Sequence, residues 1–88
     1  MVRKEVKVTN QQGLHLRPCG MISNAAAKYK SDISIISDGV KVNAKSIMSL
    51  LILGAHKGST VIIEANGVDE NEAINEIVKL FENNFDEE

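Results

Sequence analysis

The 88-residue sequence predicts one α+β domain, in which three helices cover one face of a four-stranded, mainly antiparallel sheet, in the order β-α-β-β-α-β-α. Three observations carry this. Four short segments alternate apolar and polar residues with the period of a strand, and three others repeat apolar residues at steps of three and four. Each of those three opens on a residue or proline suited to a helix start. The length matches a single hydrophobic core, so residues 1–88 form one domain.

Val2 to Val8 place Val2, Val6 and Val8 on one face and Arg3, Glu5 and Lys7 on the other, with Lys4 the exception. Asn10, Gln11, Gln12 and Gly13 form a polar loop. Pro18, Ile22, Ala25 and Tyr29 then recur at helical steps, predicting a helix over about 16–28. Pro18 is tolerated in the first turn, where its missing N–H has no intrahelical partner to lose, and this puts His15 at or beside the N-cap. Ile33 and Ile35, then Val40 and Val42, predict a hairpin turned at Asp38-Gly39. Ser46 opens a short second helix that Gly54 closes. Val61, Ile63 and Ala65 mark the last strand. Asn66-Gly67 turns the chain toward Asp69, which with Glu72 has the spacing of a capping box. Ala73, Ile74, Ile77, Val78, Leu80 and Phe81 give the third helix a continuous apolar stripe. The polar tail, Asn83 to Glu88, is expected to fray.

Twelve acidic and ten basic side chains give a net charge of −2, which argues against general affinity for nucleic acid or an anionic membrane. The single cysteine, Cys19, has no internal disulfide partner, and the N-terminus lacks an apolar signal core. A reducing, cytoplasmic setting is expected. No apolar run approaches the ~20 residues of a membrane span, so membrane insertion is not expected. A base-stacking, RNA-binding sheet is also disfavoured, because Tyr29, Phe81 and Phe85 are the only aromatic residues and none lies on a predicted strand.

Chemistry concentrates at two helix starts. In Gly13-Leu14-His15-Leu16-Arg17-Pro18 a histidine on a glycine turn precedes a helix whose first N–H groups lack partners. Those groups and the helix dipole favour a doubly charged oxyanion, and Arg17 could add a bidentate contact. The same positive field disfavours imidazolium and leaves the ring neutral and nucleophilic. His15 is therefore a candidate phosphoryl acceptor; the competing reading is a simple helix-capping histidine beside a solvated arginine. No carboxylate near His15 in the chain orients it, and no ligand spacing suggests a metal. Neither cofactor nor metal is expected. Ser46 reads first as an N-cap. A phosphate there would be favoured by the helix N-terminus, with Lys45 beside it, and would place negative charge against the following apolar residues. Ile47, Met48, Leu51 and Ile52 cannot all face one core from so short a helix, which suggests an exposed patch for a protein partner. Cys19 reads as a small buried apolar residue and His56 as a surface loop residue.

The two motifs together, with Lys45-Ser46-Ile47-Met48 about thirty residues after the histidine, resemble the histidine-containing phosphocarrier (HPr) family over essentially the whole chain. The resemblance implies an open-faced β-sandwich and a relay role rather than an independent enzyme. The phosphoryl group would come from Enzyme I, itself charged by phosphoenolpyruvate, and pass to the IIA component of a sugar permease. It implies that His15 carries the phosphoryl group on Nδ1 and that Arg17 stabilises it. It further implies that Ser46 is phosphorylated by a regulatory kinase/phosphorylase, and that a monomer docks partners through Leu16, Met21, Ile47, Met48 and Leu51. The chain departs from the family pattern at Leu16, where alanine is common, at Cys19-Gly20, and at Ser49-Leu50-Leu51-Ile52-Leu53, where a glycine-containing continuation is usual. The C-terminal stretch from Leu80-Phe81 resembles the nitrogen-branch paralogue, which feeds a regulatory IIA protein, so both branches stay open at this point.

Overall fold

The structure, a computed structural model, describes residues 1–87. Its elements follow the predicted order: β1 (Val2–Lys7), α1 (Leu16–Ala27), β2 (Asp32–Ser37), β3 (Val40–Asn43), α2 (Ile47–Leu53), β4 (Thr60–Asn66) and α3 (Glu70–Glu82). The sheet order is β1-β4-β2-β3 with every pairing antiparallel. Asp38 (φ 51°) and Gly39 (φ 78°) turn the β2–β3 hairpin with the positive angles that such a two-residue loop requires.

Strand alternation decides which side of the sheet meets the helices. Val61, Ile63 and Ala65 of β4 and Ile33 and Ile35 of β2 are buried beneath Ile22 and Ala26 of α1, Leu50 of α2, and Ala73, Ile77 and Phe81 of α3. Leu80 sits at the edge of that core, half-buried. The opposite face is open. There Glu64 lies between Arg3 of β1 (2.8 Å) and Lys41 of β3 (3.1 Å), so one carboxylate ties both edge strands to the centre of the sheet.

Two local expectations are corrected. Asp69 occupies the N-cap of α3 but makes no side-chain bond to its own helix. Its carboxylate instead accepts the N–H groups of Lys30 and Ser31 (both 2.9 Å) and the Ser31 hydroxyl (2.5 Å), joining the start of α3 to the end of α1. Three donors from the packed neighbouring segment outcompete the local cap, and the predicted partner Glu72 is exposed.

The tail is the second. It does not fray: Asn84–Asp86 form a short 3-10 turn, and Phe85 is 1% exposed with its ring edge-on to Phe81 at 4.9 Å. Burial of an aromatic ring holds the segment even though Asn84, Phe85 and Asp86 all take positive φ (52°, 54° and 60°). The Thr9 hydroxyl adds a hydrogen bond to Asn84 Oδ1. Asp86 is exposed as expected of an acidic end, Glu87 is only partly so, and the reading of Glu88 as solvated lies outside the described residues.

Candidate functional site

The loop from Asn10 to His15 is built to hold one histidine at the entrance to α1. The Asn10 side chain is buried and donates to Gly13 O (2.8 Å), while Gly13 N–H returns a bond to Asn10 O (3.2 Å). Gly13 has φ +65°, and a Cβ placed there would stand 2.6 Å from His56 Cα and 2.7 Å from Ala55 O. Only glycine fits so close to another backbone in that conformation. Leu14 N–H donates to Ala55 O (2.9 Å) and its side chain is buried, fixing the loop against the segment that follows α2.

His15 is the N-cap residue of α1 in extended conformation (φ −83°, ψ −171°), and its carbonyl accepts the Cys19 N–H at 3.1 Å. Its side chain makes no capping bond. The ring instead reaches the C-terminal segment, with Nε2 2.8 Å from Glu87 Oε2. Because a carboxylate only accepts, Nε2 carries the proton in this contact, and whenever the ring is neutral its lone pair is on Nδ1. Arg17, two residues on, donates from Nη1 to Phe85 O (2.8 Å) and lies 3.3 Å from the same Glu87 oxygen. The second Glu87 oxygen accepts from Asn10 Nδ2 at 3.1 Å. Hydrogen bonds from Asn10, then His15 and Arg17, hold the Glu87 carboxyl below the ordinary carboxylate range. A shallow pocket lined by Gln11, Gln12, His15 and Glu87 opens beside the ring.

The expectation that no carboxylate orients His15 is thereby corrected. Glu87 stands 72 positions away in sequence, within a tail expected to fray, and Asn10 belongs to a loop whose polarity alone predicts no partner. The available signal was Phe85, an aromatic residue inside an otherwise polar and acidic end, which marks a segment with something to bury.

Cys19 follows its bland reading. It is fully buried, its Sγ lies 3.4 Å from Leu14 O, and burial pushes the thiol up to about 11, away from reactivity. His56 is exposed in the loop after α2. Among the described residues no cluster of potential ligands could hold a metal ion, and no helix is long and apolar enough to cross a membrane.

At the second helix start, the Ser46 hydroxyl accepts the Ser49 N–H at 3.2 Å, and Gly54 (φ 64°, ψ 26°) ends α2 in the left-handed conformation. Leu50 points into the core against α1, and Ser23 of α1 donates to Lys45 O at 3.0 Å, fixing the two helices side by side. Lys45 is turned away from Ser46, its ammonium donating to Tyr29 O at 2.9 Å. Met48 is 68% exposed and Ile52 77%, with Ile47 also exposed, while Leu51 and Leu53 are half-buried against the core. Leu16 of α1 is 65% exposed, and Met21 is half-buried.

The chain matches the family model for the PTS HPr component phosphorylation site over residues 2–83. It is 42% identical to the phosphocarrier protein HPr of Treponema pallidum over 88 residues, covering both chains completely. It is also 42% identical to the HPr-like protein Crh of Halalkalibacterium halodurans over 82 residues, 93% of this chain and 98% of that one. The crystal structure of HPr from Thermoanaerobacter tengcongensis superimposes with a TM-score of 0.96 at 42% identity, covering 100% of this chain and 99% of the other.

Proposed function

The chain belongs to the HPr family of phosphotransferase-system phosphocarriers, and from that premise we propose that it relays a phosphoryl group from Enzyme I, through His15, to the IIA component of a sugar permease. One observation carries this reading. His15 stands at the mouth of α1 with its side chain not used as a cap, and Arg17 follows on the first turn. In the transfer, the Nδ1 lone pair of His15 forms a bond to phosphorus as the N–P bond to the donor's histidine breaks, and that electron pair returns to the donor nitrogen. The second transfer is the same exchange with His15 as donor. Both contacts of Arg17 leave from Nη1, and its further donors on Nη2 and Nε suit the phosphoryl oxygens. The matched relatives are phosphocarriers of the general HPr type and an HPr-like protein, which favours the sugar-permease relay over the nitrogen branch.

In this reading the protein acts as a cytoplasmic monomer and as a carrier, not an independent enzyme. Leu16, Met21, Ile47, Met48 and Leu51 form the docking surface beside His15, where an apolar centre suits a transient partner. Phosphorylation of Ser46 by a kinase/phosphorylase would set a dianion beside Ile47 and Met48, disfavouring docking while the helix N-terminus tolerates the charge.

Intact mass after mixing the protein with phosphoenolpyruvate and catalytic Enzyme I tests the relay. The expected result is a rapid, acid-labile gain of one phosphate in the native protein and none in His15→Ala. Label retained by His15→Ala refutes His15 as acceptor. For Ser46, incubation with the kinase of the same organism and ATP should add an acid-stable phosphate that Ser46→Ala lacks; an unmodified serine refutes regulation there.

A further inference from the structure

We propose that Glu87 is a positioning residue for the transfer: its carboxylate, seated by Asn10, keeps the His15 proton on Nε2 and offsets the charge the ring acquires when Nδ1 bonds phosphorus. The inference deepens the phosphocarrier reading above and rests on it. Its basis is the pair of contacts made by one side chain. Glu87 Oε2 is 2.8 Å from His15 Nε2, and Oε1 is 3.1 Å from Asn10 Nδ2, which is itself fixed to Gly13 O at 2.8 Å. The carboxylate is thus held on the same loop that carries the histidine, so its position relative to the ring does not depend on the tail alone.

Free imidazole exchanges its proton between two nitrogens, and only the form protonated on Nε2 presents a lone pair at Nδ1. An acceptor-only partner on Nε2 selects that form. The charge balance points to the same side chain. When Nδ1 gives its electron pair to phosphorus and the donor's N–P bond breaks, the ring keeps its Nε2 proton and becomes cationic. A carboxylate on Nε2 then gains a charge-assisted hydrogen bond that was weaker in the ground state, which is the condition for accelerating a step. In the onward transfer the electron pair of the P–N bond returns to Nδ1, and the ring is neutral again without loss of its proton.

The segment has a separate means of staying in place. Phe85 is buried edge-on to Phe81, and the Thr9 hydroxyl bonds Asn84. Replacing Glu87 by glutamine should therefore leave the tail docked, and an amide on Nε2 can donate as well as accept, which removes the selection between tautomers.

The test compares the native protein with Glu87→Gln, each labelled with 15N-histidine, by the ring-nitrogen signals before charging and by the rate of phosphate gain from phosphoenolpyruvate and catalytic Enzyme I. The native ring should show a protonated Nε2 and an unprotonated Nδ1. In Glu87→Gln the two nitrogen signals should move toward each other, and charging at a carrier concentration that saturates Enzyme I should slow on the order of tenfold with the half-saturating carrier concentration unchanged. Equal rates with unchanged ring signals overturn the role of Glu87 and leave the carrier reading standing. Loss of the Phe81–Phe85 ring contact in Glu87→Gln would assign the slowing to an undocked tail and also overturn it. A native protein that gains no phosphate on His15 overturns the carrier reading and the proposed role together.

Discussion

The starts of α1 and α2 are the same local object used in opposite ways. At α2, Ser46 turns its hydroxyl onto its own helix and accepts the Ser49 N–H at 3.2 Å. At α1, the residue in the same position is His15, which leaves its helix uncapped and reaches across the molecule to Glu87. The first arrangement closes inside four residues and belongs to stability. The second leaves helix donors and a ring nitrogen open, and needs partners from distant parts of the chain to set its geometry. A helix start becomes available for chemistry when its capping residue is released from the cap.

The largest expected effect separates the two directly. His15→Ala should abolish phosphate uptake from Enzyme I, yet change unfolding free energy by no more than about 0.5 kcal/mol, since no capping bond is lost and the contact with Glu87 that goes is a partly solvent-exposed one. Chemical denaturation beside the mass assay checks both halves, and a large loss of stability would show that His15 caps α1 after all.

Gly13→Ala comes next and acts on the support beneath the histidine. The residue at φ +65° would carry a Cβ 2.6 Å from His56 Cα, so about 3 kcal/mol of destabilisation is expected from strain and overlap combined. A midpoint shift measured in urea, with slower charging of the protein that remains folded, would tie the site to the loop after α2. An unchanged midpoint would show that this close approach is dispensable.

Ser46→Ala should cost about 1 kcal/mol, the usual worth of an N-cap, while charging of His15 by Enzyme I proceeds at the native rate. This is the reverse of the His15→Ala pattern, and a variant that kept full stability would remove the contrast between the two starts.

The smallest effect is acid-dependent and should appear at α1 alone. Glu87 is held below its ordinary range by the bond from Asn10 and then by His15 and Arg17. With the docked value lowered, an undocked tail takes up a proton first. The contribution of Glu87 is therefore complete above the ordinary glutamate value of about 4.3 and is lost as pH falls through the lowered value. Amide exchange followed downward from pH 6 should show the Asn10 side-chain amide and the Phe85 backbone losing protection while the Ser49 N–H keeps its own. Loss of protection at both starts together would indicate global acid unfolding instead.

The sequence by itself determined the order of the seven elements, the three helix starts, the Asp38-Gly39 turn and the presence of exposed apolar residues on α2. Each rests on interactions within a few residues, and side-chain periods and caps are local by construction. That some of Ile47, Met48, Leu51 and Ile52 stay exposed follows from so short a helix having one face for the core; which of them do, Ile47, Met48 and Ile52, is decided by packing, with Leu50 buried and Leu51 half-buried. Tertiary structure decided what Asp69 and Glu87 do. Sequence position alone predicts local roles for both carboxylates, a cap for Asp69 and a solvated tail for Glu87, and neither role is what the structure shows. Packing gave them other partners, Lys30 and Ser31 for the one, Asn10, His15 and Arg17 for the other. The physical reason is that a hydrogen-bond acceptor is claimed by whichever donors packing brings nearest. Here the burial of Phe85 against Phe81 brings Glu87 to the mouth of α1, across a separation that no sequence period spans.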